Sequence, residues 1–480
     1  MAKEQTSEGI TVKKDDDMPE WYAQVCQKAG LADYAPVKGC MVIMPDGYAI
    51  WQSIQDYFNE RLKKLNVRNA YFPLFIPESF FKKEQEHAEG FSPEVAWLDK
   101  DITGEGERLA VRPTSETIIY DSYSNWIRSH RDLPLMINQW CNVVRWETQQ
   151  TKLFLRSREF LWQEGHNVFA SEKECHKNTV KMIKEYQKLC EDLLAMPVIV
   201  GKKSEKEKFA GAKATYAIEA FMPDGKSLQA GTSHDLGQGF AKSFNIRYKG
   251  EDEQEHIPWQ NSWGISTRLI GGLVMTHSDD KGLVLPPRVA ETKVVIIPIM
   301  IGDSKAAVIK KSQEIGRQLK SFNAVWDSRE EYTPGWKFSE WELKGVPLRL
   351  EIGPKDLEKQ QVVIVRRDTG EKIFCPEAEI KTRVKQVLDK MQKDMLEKAR
   401  TRLKDNMMET SDWDAFESMV KARKLVLAPH CGTGECEDMI KEKTEGVSTR
   451  CIPLDDSKTD KKCIHCDKKA KYKIFFSKSY

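Results

Sequence analysis

The chain has 480 residues, more than one hydrophobic core can organise, so two to four domains are expected. Apolar residues make up 40% and charged residues 31%, which excludes a disordered chain, and no run approaches eighteen uninterrupted apolar residues, which excludes a transmembrane helix. The net charge of +2 supplies no global attraction to nucleic acid, so any RNA contact must come from local patches.

The opening MAKEQTSEGITVKKDDD carries neither a secretory apolar region nor an Arg-rich transit character, so a cytoplasmic location is expected, with residues 1–18 mobile. Ile50, Ile54, Tyr57, Phe58, Leu62 and Leu65 recur at helical spacing over 48–66, and AYFPLFIP at 70–77 reads as a strand. Two β-rich runs between 136 and 170 flank the polar TQQTK and predict an antiparallel hairpin with a mobile loop. Ser171 and Glu174 form a capping-box pattern that starts a helix ending before Pro197. Short apolar runs and Gly-containing turns continue to 290, so residues 19–291 read as an α+β domain.

At 293 the texture changes. KVVIIPIMIG is a strand buried on both faces, and the segment behind it places Val308, Ile315, Leu319 and Phe322 on one helical face after an Asp303/Ser304 cap. An α/β domain over 292–395 follows, its last part a long amphipathic helix from near Pro376 with Ile380, Val384, Leu388, Met391, Met395 and Leu403 as its stripe. Residues 396–480 form a Cys-rich module.

Two Lys runs stand out: 201–213, with five Lys against two Glu, and 458–480, with eight Lys against two Asp. Either can be a plain solvated surface. Of the eleven Cys, six are scattered, but Cys431-x4-Cys436 and Cys463-x2-Cys466 are close pairs 26 residues apart, a spacing suited to a structural Zn²⁺ with four thiolates. His430 and His465 adjoin them and can replace one ligand. Cys451, in the apolar context RCIPL, is set aside.

The most informative stretch is CNVVRWETQQTKLFLRSREFLWQEGH at 141–166. An Arg on a strand, a Glu two residues on and a second Arg after a turn direct side chains to one sheet face, where Arg can fork phosphate oxygens and Glu147 can accept from an adenine amino group. A half-buried structural Arg–Glu pair explains that triplet equally well. Its company decides: Arg145-Trp146-Glu147 with Arg156 resembles motif 2 of the class II aminoacyl-tRNA synthetases, the 48–66 helix with Pro73 resembles motif 1, and GISTR at 264–268 resembles motif 3. RPTSET at 112–117, EKFAGA at 207–212, QAGTSHDLGQ at 229–238, GLVLPPRVA at 282–290 and PGWKFSEWELKGVPLRLEIGPKD at 334–356 are similar to prolyl-tRNA synthetases of the archaeal and eukaryotic type, over residues 20 to 480.

That resemblance implies a class II antiparallel catalytic sheet with helices, an α/β anticodon-binding domain and a small zinc-binding α+β domain. It implies a proline–tRNA ligase using ATP and Mg²⁺, with tRNA(Pro) as partner and a homodimer built on motif 1. Arg145 would meet the α-phosphate and the proline carboxylate; Glu147, Arg156, Ser157, Gln229, Thr232, Ser266 and Arg268 would hold ATP. Thr114, Glu116 and His234 match proline-contacting positions, and Trp162, Glu164, His166 and Phe209 match residues that line or brace the pocket. Glu116 stands where the threonyl sibling has a zinc-binding Cys, which implies a metal-free pocket. Lys337, Glu340, Trp341 and Arg349 are the expected anticodon contacts, and the ending FFSKSY implies a Tyr480 carboxylate that folds back toward the active site and helps order the catalytic domain. The 122 residues between Arg145 and Arg268 leave no room for a large editing insertion. A sibling specific for another amino acid, and a paralogue that binds without charging, are the competing readings.

Overall fold

The computed structural model describes residues 9–85, 95–98, 107–146, 150–455 and 457–480. Helix α1, Met18–Lys28, starts where the Asp17 carboxylate accepts from the Glu20 N–H at 3.1 Å and buries Trp21, Tyr22, Val25 and Cys26. Ahead of it, residues 9–17 are not the mobile strand of chain expected. Lys14 donates to the carbonyls of Met275 and Ser278 at 2.8 and 3.0 Å, and its N–H donates to Asp280 at 2.7 Å, so this segment is tied to the core by a buried ammonium. Residues 1–8, the rest of that expectation, lie outside the described residues.

Helix α2, Pro45–Lys64, carries the predicted stripe with Ile50, Trp51, Ile54, Phe58 and Leu62 buried. Of AYFPLFIP only Phe75–Pro77 pairs as a strand, against Leu109–Val111. Pro73 has no N–H to give a ladder, which fits the late start. Helix α3, Glu116–Trp126, precedes the hairpin of β1, Leu135–Val144, and β2, Glu159–Phe169, which pair antiparallel along their whole length. Helix α4, Glu172–Lys188, begins at Ser171, whose hydroxyl accepts from the Glu174 N–H, and a π turn over Leu189–Leu193 ends it. Strands β3, Ile199–Lys202, β4, Ala214–Phe221, β5, Lys226–Gly237, and β6, Trp259–Ser266, complete the catalytic sheet, and helix α5, Arg268–His277, leaves its end. The central order is β4-β5-β6-β2-β1, all antiparallel.

The pleat gives this sheet two unlike faces. Gln163 and Asn167 turn toward α4, where they meet Tyr186 and Asn178, and between them Gly165 lies opposite Trp263. A Cβ at Gly165 would sit 2.0 Å from the Trp263 ring, so the indole fills the space that any side chain there would need. The other face carries Trp162, Glu164 and His166.

A second sheet is built from β7, Val294–Pro298, which is buried throughout, with β8, Leu348–Ile352, β9, Gln361–Arg366, and β10, Lys372–Pro376; the short strand Val325–Trp326 flanks β7. Its parallel and antiparallel halves meet at β8. Helix α6, Lys305–Gln318, crosses it, burying Val308 and Ile315, and α7, Pro334–Leu343, follows. Ser304 stands at the N-cap of α6, but its hydroxyl turns back to the Ile301 carbonyl and caps nothing. Helix α8, Ile380–Asn406, runs unbroken through 395/396, where a domain boundary was expected.

The terminal module contributes β11, Leu425–His430, α9, Gly434–Lys443, and β12, Tyr472–Ser479. It does not stand apart: β12 runs parallel to β5, with Lys478 beside Lys226, and Ile452–Pro453 pairs with β3, so the two modules share one sheet. Where they meet, the Glu219 carboxylate is 3% exposed and takes Lys203 at 2.8 Å and Arg450 at 3.0 Å. Three buried charges with one carboxylate between two cations are stable only as a set. Glu219→Ala is expected to lower unfolding stability by about 3–5 kcal/mol, because Lys203 and Arg450 would stay buried without a counter-charge. Chemical denaturation measures it, and an unchanged midpoint would mean that the triad holds nothing together.

Candidate active site

Strand alternation assembles the site. On β2, Trp162, Glu164 and His166 project from one face; the register places Ser266, Gly264 and Ser262 of β6 beside them, and Thr232 and His234 of β5 beyond. Together they floor a cavity of about 290 Å³. Of the residues expected in the site, Thr114, Glu116, Arg145, Trp162, Glu164, His166, Phe209, Gln229, Thr232, His234, Ser266 and Arg268 all line it. Arg156 and Ser157 do not: Arg156 is exposed on the hairpin turn, and the Ser157 hydroxyl donates to the Glu159 carbonyl at 2.7 Å. Glu147 lies outside the described residues. Phe160, Glu207, Thr215, Ser262, Trp263 and Ile265 also line the cavity and were not singled out. Phe160 is the same-face neighbour of Trp162 at two-residue spacing, a signal the sequence did contain.

At one end the polar groups are locked. Glu164 accepts from Ser115 at 2.5 Å and Gln139 at 2.9 Å on one oxygen, and meets His166 Nε2 at 2.9 Å on the other. Tyr120 holds His166 Nδ1 at 3.0 Å, and Thr114 donates to Glu116. Burial would raise the Glu164 carboxyl, but the bonds from His166, Ser115 and Gln139 outweigh it and hold the group below the usual carboxylate range. Burial would likewise lower His166, yet Glu164 and then Glu116 raise it, so the pair is carboxylate and imidazolium. His234 is the opposite case: burial first, and the His166 charge second, push it down to about 3, so it is neutral. Its Nδ1 is 3.0 Å from the Thr215 hydroxyl, which also accepts from the Phe209 N–H, and the Phe209 ring packs on it at 4.7 Å. The result is a small slot with an apolar wall and carboxylates at its base, suited to a cationic amine on a short apolar ring.

At the other end two guanidinium groups meet. Arg145 donates to the Pro113 carbonyl at 3.2 Å and lies 5.5 and 5.6 Å from the Phe160 and Trp162 rings. Arg268, at the start of α5, donates to the Leu155 and Gln229 carbonyls at 3.1 and 3.3 Å. Burial, then the charge of Arg145, lowers its pKa to about 10, and it remains a cation. Two half-buried like charges around one cavity mark a place for an anion.

Away from the cavity, His430, Cys431, Cys436 and Cys463 bring their ligand atoms within 4.8 Å of one another. Cys436 Sγ and Cys463 Sγ are 3.7 Å apart, and thiolates about 2.3 Å from a tetrahedral zinc stand about 3.8 Å apart, so the donors fit that ion. Cys466, the fourth cysteine expected, stands outside that group of four, where His430 takes the fourth place, but it is in contact with Cys431 and Cys463. His430 Nδ1 accepts from the Gly432 N–H at 3.0 Å, which places its proton on Nε2 and occupies the lone pair a metal would need. Cys451 is fully buried beside β3 and takes no part.

Three of the four expected anticodon residues, Lys337, Glu340 and Trp341, converge on Asp327 and its partner Arg329, and Arg349 is paired separately. Lys337 is only 1% exposed and donates to the Asp327 carbonyl at 3.2 Å; Trp341 Nε1 donates to the Asp327 carboxylate at 2.8 Å. Glu340 pairs with Arg329, and Arg349 with Glu342 and Glu351. Lys337 is therefore a brace and not a surface a base could touch, a correction that follows from its burial.

The His166–Glu164 pair fixes a pH response. His166 contributes stability that is complete below its unfolded pKa of about 6.5 and is lost as pH rises through its raised folded value; Glu164 contributes above about 4.3 and loses it as pH falls through its depressed one. In imidazole NMR, His166 is expected to be still protonated when pH passes 6.5, while His234 stays neutral down to about 3. Both rings titrating together near 6.5 would contradict the pairing.

Known families match the chain in three successive parts. The tRNA synthetase class II core domain (G, H, P, S and T) matches residues 98–277, the anticodon binding domain 293–393, and the prolyl-tRNA synthetase C-terminal domain 413–480. A proline–tRNA ligase of Clostridium novyi is 48% identical over 480 residues, covering 100% of this chain and 99% of its own. Proline–tRNA ligase 2 of Clostridioides difficile is 48% identical over 489 residues with 100% of both covered, and that of Acetoanaerobium sticklandii 49% over 470 residues with 97% of both. The cavity, with arginines at one end and an amine-sized slot at the other, lies in the part matched by the class II core, and relatives 48% identical over the full length make the chain a member of the proline–tRNA ligase family of class II synthetases.

Proposed function

We infer that this chain is a proline–tRNA ligase: it activates L-proline with ATP and passes the prolyl group to the 3′-terminal adenosine of its tRNA. One observation carries the reading: the same cavity joins the Arg145–Arg268 anion site to the slot formed by Glu116, Phe209 and His234. A proline carboxylate is already ionised, so its oxygen can attack the α-phosphorus without a general base. The bond from that phosphorus to the bridging oxygen breaks, and pyrophosphate leaves. Catalysis then consists of alignment and of stabilising charge on the phosphoryl oxygens, which fixed guanidinium groups perform. In the second step the ribose hydroxyl of the tRNA attacks the prolyl carbonyl and AMP departs.

The roles follow the geometry. Arg145, at the guanidinium end beside Trp162, would touch the carboxylate and the α-phosphate. Arg268 with Gln229, Thr232 and Ser266 would hold the nucleotide, Mg²⁺ accompanying it to neutralise the polyphosphate. Glu116 with Thr114 would take the two N–H donors of the secondary ammonium, and neutral His234 with Phe209 would close on the ring. His166 and Glu164 hold that wall in place from behind. A threonine-specific sibling is disfavoured, since a carboxylate occupies position 116; a non-charging paralogue is disfavoured by both arginines facing the cavity. Residues 150–267 fold into the catalytic sheet and the helices packed on it, which supports the absence of a separate editing domain.

Arg145→Ala is expected to lower proline-dependent ATP–pyrophosphate exchange by about 10²-fold or more while leaving the fold intact. Exchange near the parent rate, or a preference for threonine among the twenty amino acids, would reject the assignment.

We propose a structural zinc in the C-terminal module held by Cys431, Cys436 and Cys463, which cluster with His430, and by Cys466, which touches Cys431 and Cys463. When bound, the ion would cross-link β11, the start of α9 and the 463–466 turn. Cys463→Ser, or removal of metal by a chelator, is expected to lower the module's thermal stability and to leave the exchange rate of folded enzyme unchanged. Purified protein free of zinc would reject this site. A homodimer is supported by Tyr34, Val42, Tyr71 and Phe75, apolar groups left exposed around the motif 1 segment. Among the described residues no helix is long and apolar enough to cross a membrane, and we place the enzyme in the cytoplasm with its tRNA. Tyr480 packs on the catalytic module but outside the active-site cavity: its hydroxyl donates to Asp224 at 2.5 Å, and its ring lies 5.4 and 5.1 Å from the ammonium groups of Lys152 and Lys226.

A further inference from the structure

The two Lys runs, 250 residues apart in sequence, come together in the fold. Ser204 donates to Glu437 of α9 at 3.1 Å, Lys206 pairs with Asp438, and the charge of Lys471 acts on Glu205. The segment 202–208 therefore lies against the terminal module, and its continuation, Glu207 and Phe209, lines the active-site cavity. From Lys202 to Phe209 the chain spans at most about 25 Å.

Beyond it, the turn carrying Cys463 and Cys466 is studded with exposed lysines. Lys462 and Lys469 bridge directly opposite one another, Lys468 follows the turn, and Lys471 leads into β12. Like charges facing across a bridge repel, and a fold gains nothing by placing them there. The ion pairs of this neighbourhood are Lys206–Asp438, Lys208–Glu205 and Lys473–Glu409; none takes Lys462, Lys468, Lys469 or Lys471 among the described residues. An uncompensated basic turn, held rigid at its base by the thiol cluster, suits a polyanion with regularly spaced charges.

We propose that this lysine turn, with segment 202–208, is the docking surface for the acceptor arm of the tRNA. The proposal rests on the ligase reading and adds to it the path by which the 3′ end arrives. The acceptor arm is the occupant because the terminal module shares its sheet with the catalytic strands through β12 and β5, whereas the anticodon-binding sheet is separate. A surface continuous with the cavity must carry the part of the RNA whose end enters it. The contacts are to phosphates, so they position the arm without reading its sequence.

The test uses the full-length enzyme with Lys462, Lys468 and Lys469 all changed to Gln, and the matching Arg triple as control. Binding of a tRNA(Pro) transcript, and of an acceptor-arm minihelix lacking the anticodon, is measured against salt. In the Gln variant the dissociation constant for both RNAs is expected to rise about tenfold or more at low salt, and the slope of log affinity against log salt to flatten by about 0.9 per lysine. The Arg triple should restore both, and proline-dependent exchange and zinc content should match the parent in every variant. Minihelix affinity and slope equal to the parent's would overturn the proposal, as would loss confined to full-length tRNA. Absence of proline-dependent exchange in the parent would instead overturn the ligase reading, so the two failures are distinguishable.

Discussion

The pleat of β2 is the constraint on which the rest depends. Its odd positions, Gln163, Gly165 and Asn167, face α4; its even positions, Trp162, Glu164 and His166, face the cavity. A slip of one residue would exchange a wall of aromatic and charged groups for an amide, a bare backbone and another amide. Gly165 pins the strand against such movement, because Trp263 occupies the space above it and admits no side chain. The hydrogen-bonded rows across β5, β6 and β2 then fix the separation between the amine slot and the guanidinium groups by backbone geometry. Side-chain flexibility has little say in it.

Within that frame, charge is distributed unevenly for a reason. At the slot, each buried ionic group has a partner: Glu164 with His166, Glu116 with Thr114. His234 sheds its charge instead of finding a partner, because burial and then the His166 charge disfavour the cation, and a neutral ring there spares an incoming ammonium a further like charge. At the other end Arg145 and Arg268 face the cavity, and the buried carboxylate whose charge acts on Arg268, Glu219, is bonded to Lys203 and Arg450. Arg450 comes from the terminal module. A residue far along the chain thus acts on the charge of Arg268 from outside the cavity, so the terminal module contributes to the field there.

The local features of this fold were legible in the sequence and the long-range ones were not. The β1–β2 hairpin, the Ser171 start of α4 and the buried β7 run follow from spacing and capping, which are properties of neighbouring residues. The twelve cavity residues were placed by resemblance to a family; composition and periodicity would not have gathered Thr114 and His234 into one slot. What was missed depended on contacts between distant segments. Residues 9–17 look like a polar tail until Lys14 finds carbonyls at the end of α5. Lys337, on an amphipathic helix, reads as a surface cation until Asp327 draws it inward. Arg156 and Ser157 share a strand pattern with Arg145, but the turn before β2 rotates them out of the cavity.

The same distinction explains why a Lys run is mute in sequence and informative in space. Taken singly, either run is solvated surface, and a mean charge of +2 over 480 residues says nothing about where positive potential collects. Folding brings the runs to one side of the molecule through Ser204–Glu437, Lys206–Asp438 and the charge of Lys471 on Glu205. The anion site of the cavity and the basic turn then belong to one surface, linked by the segment that ends at Phe209. A ligand with phosphates along its length and a reactive hydroxyl at its tip is the shape of partner that such a surface can hold at both ends.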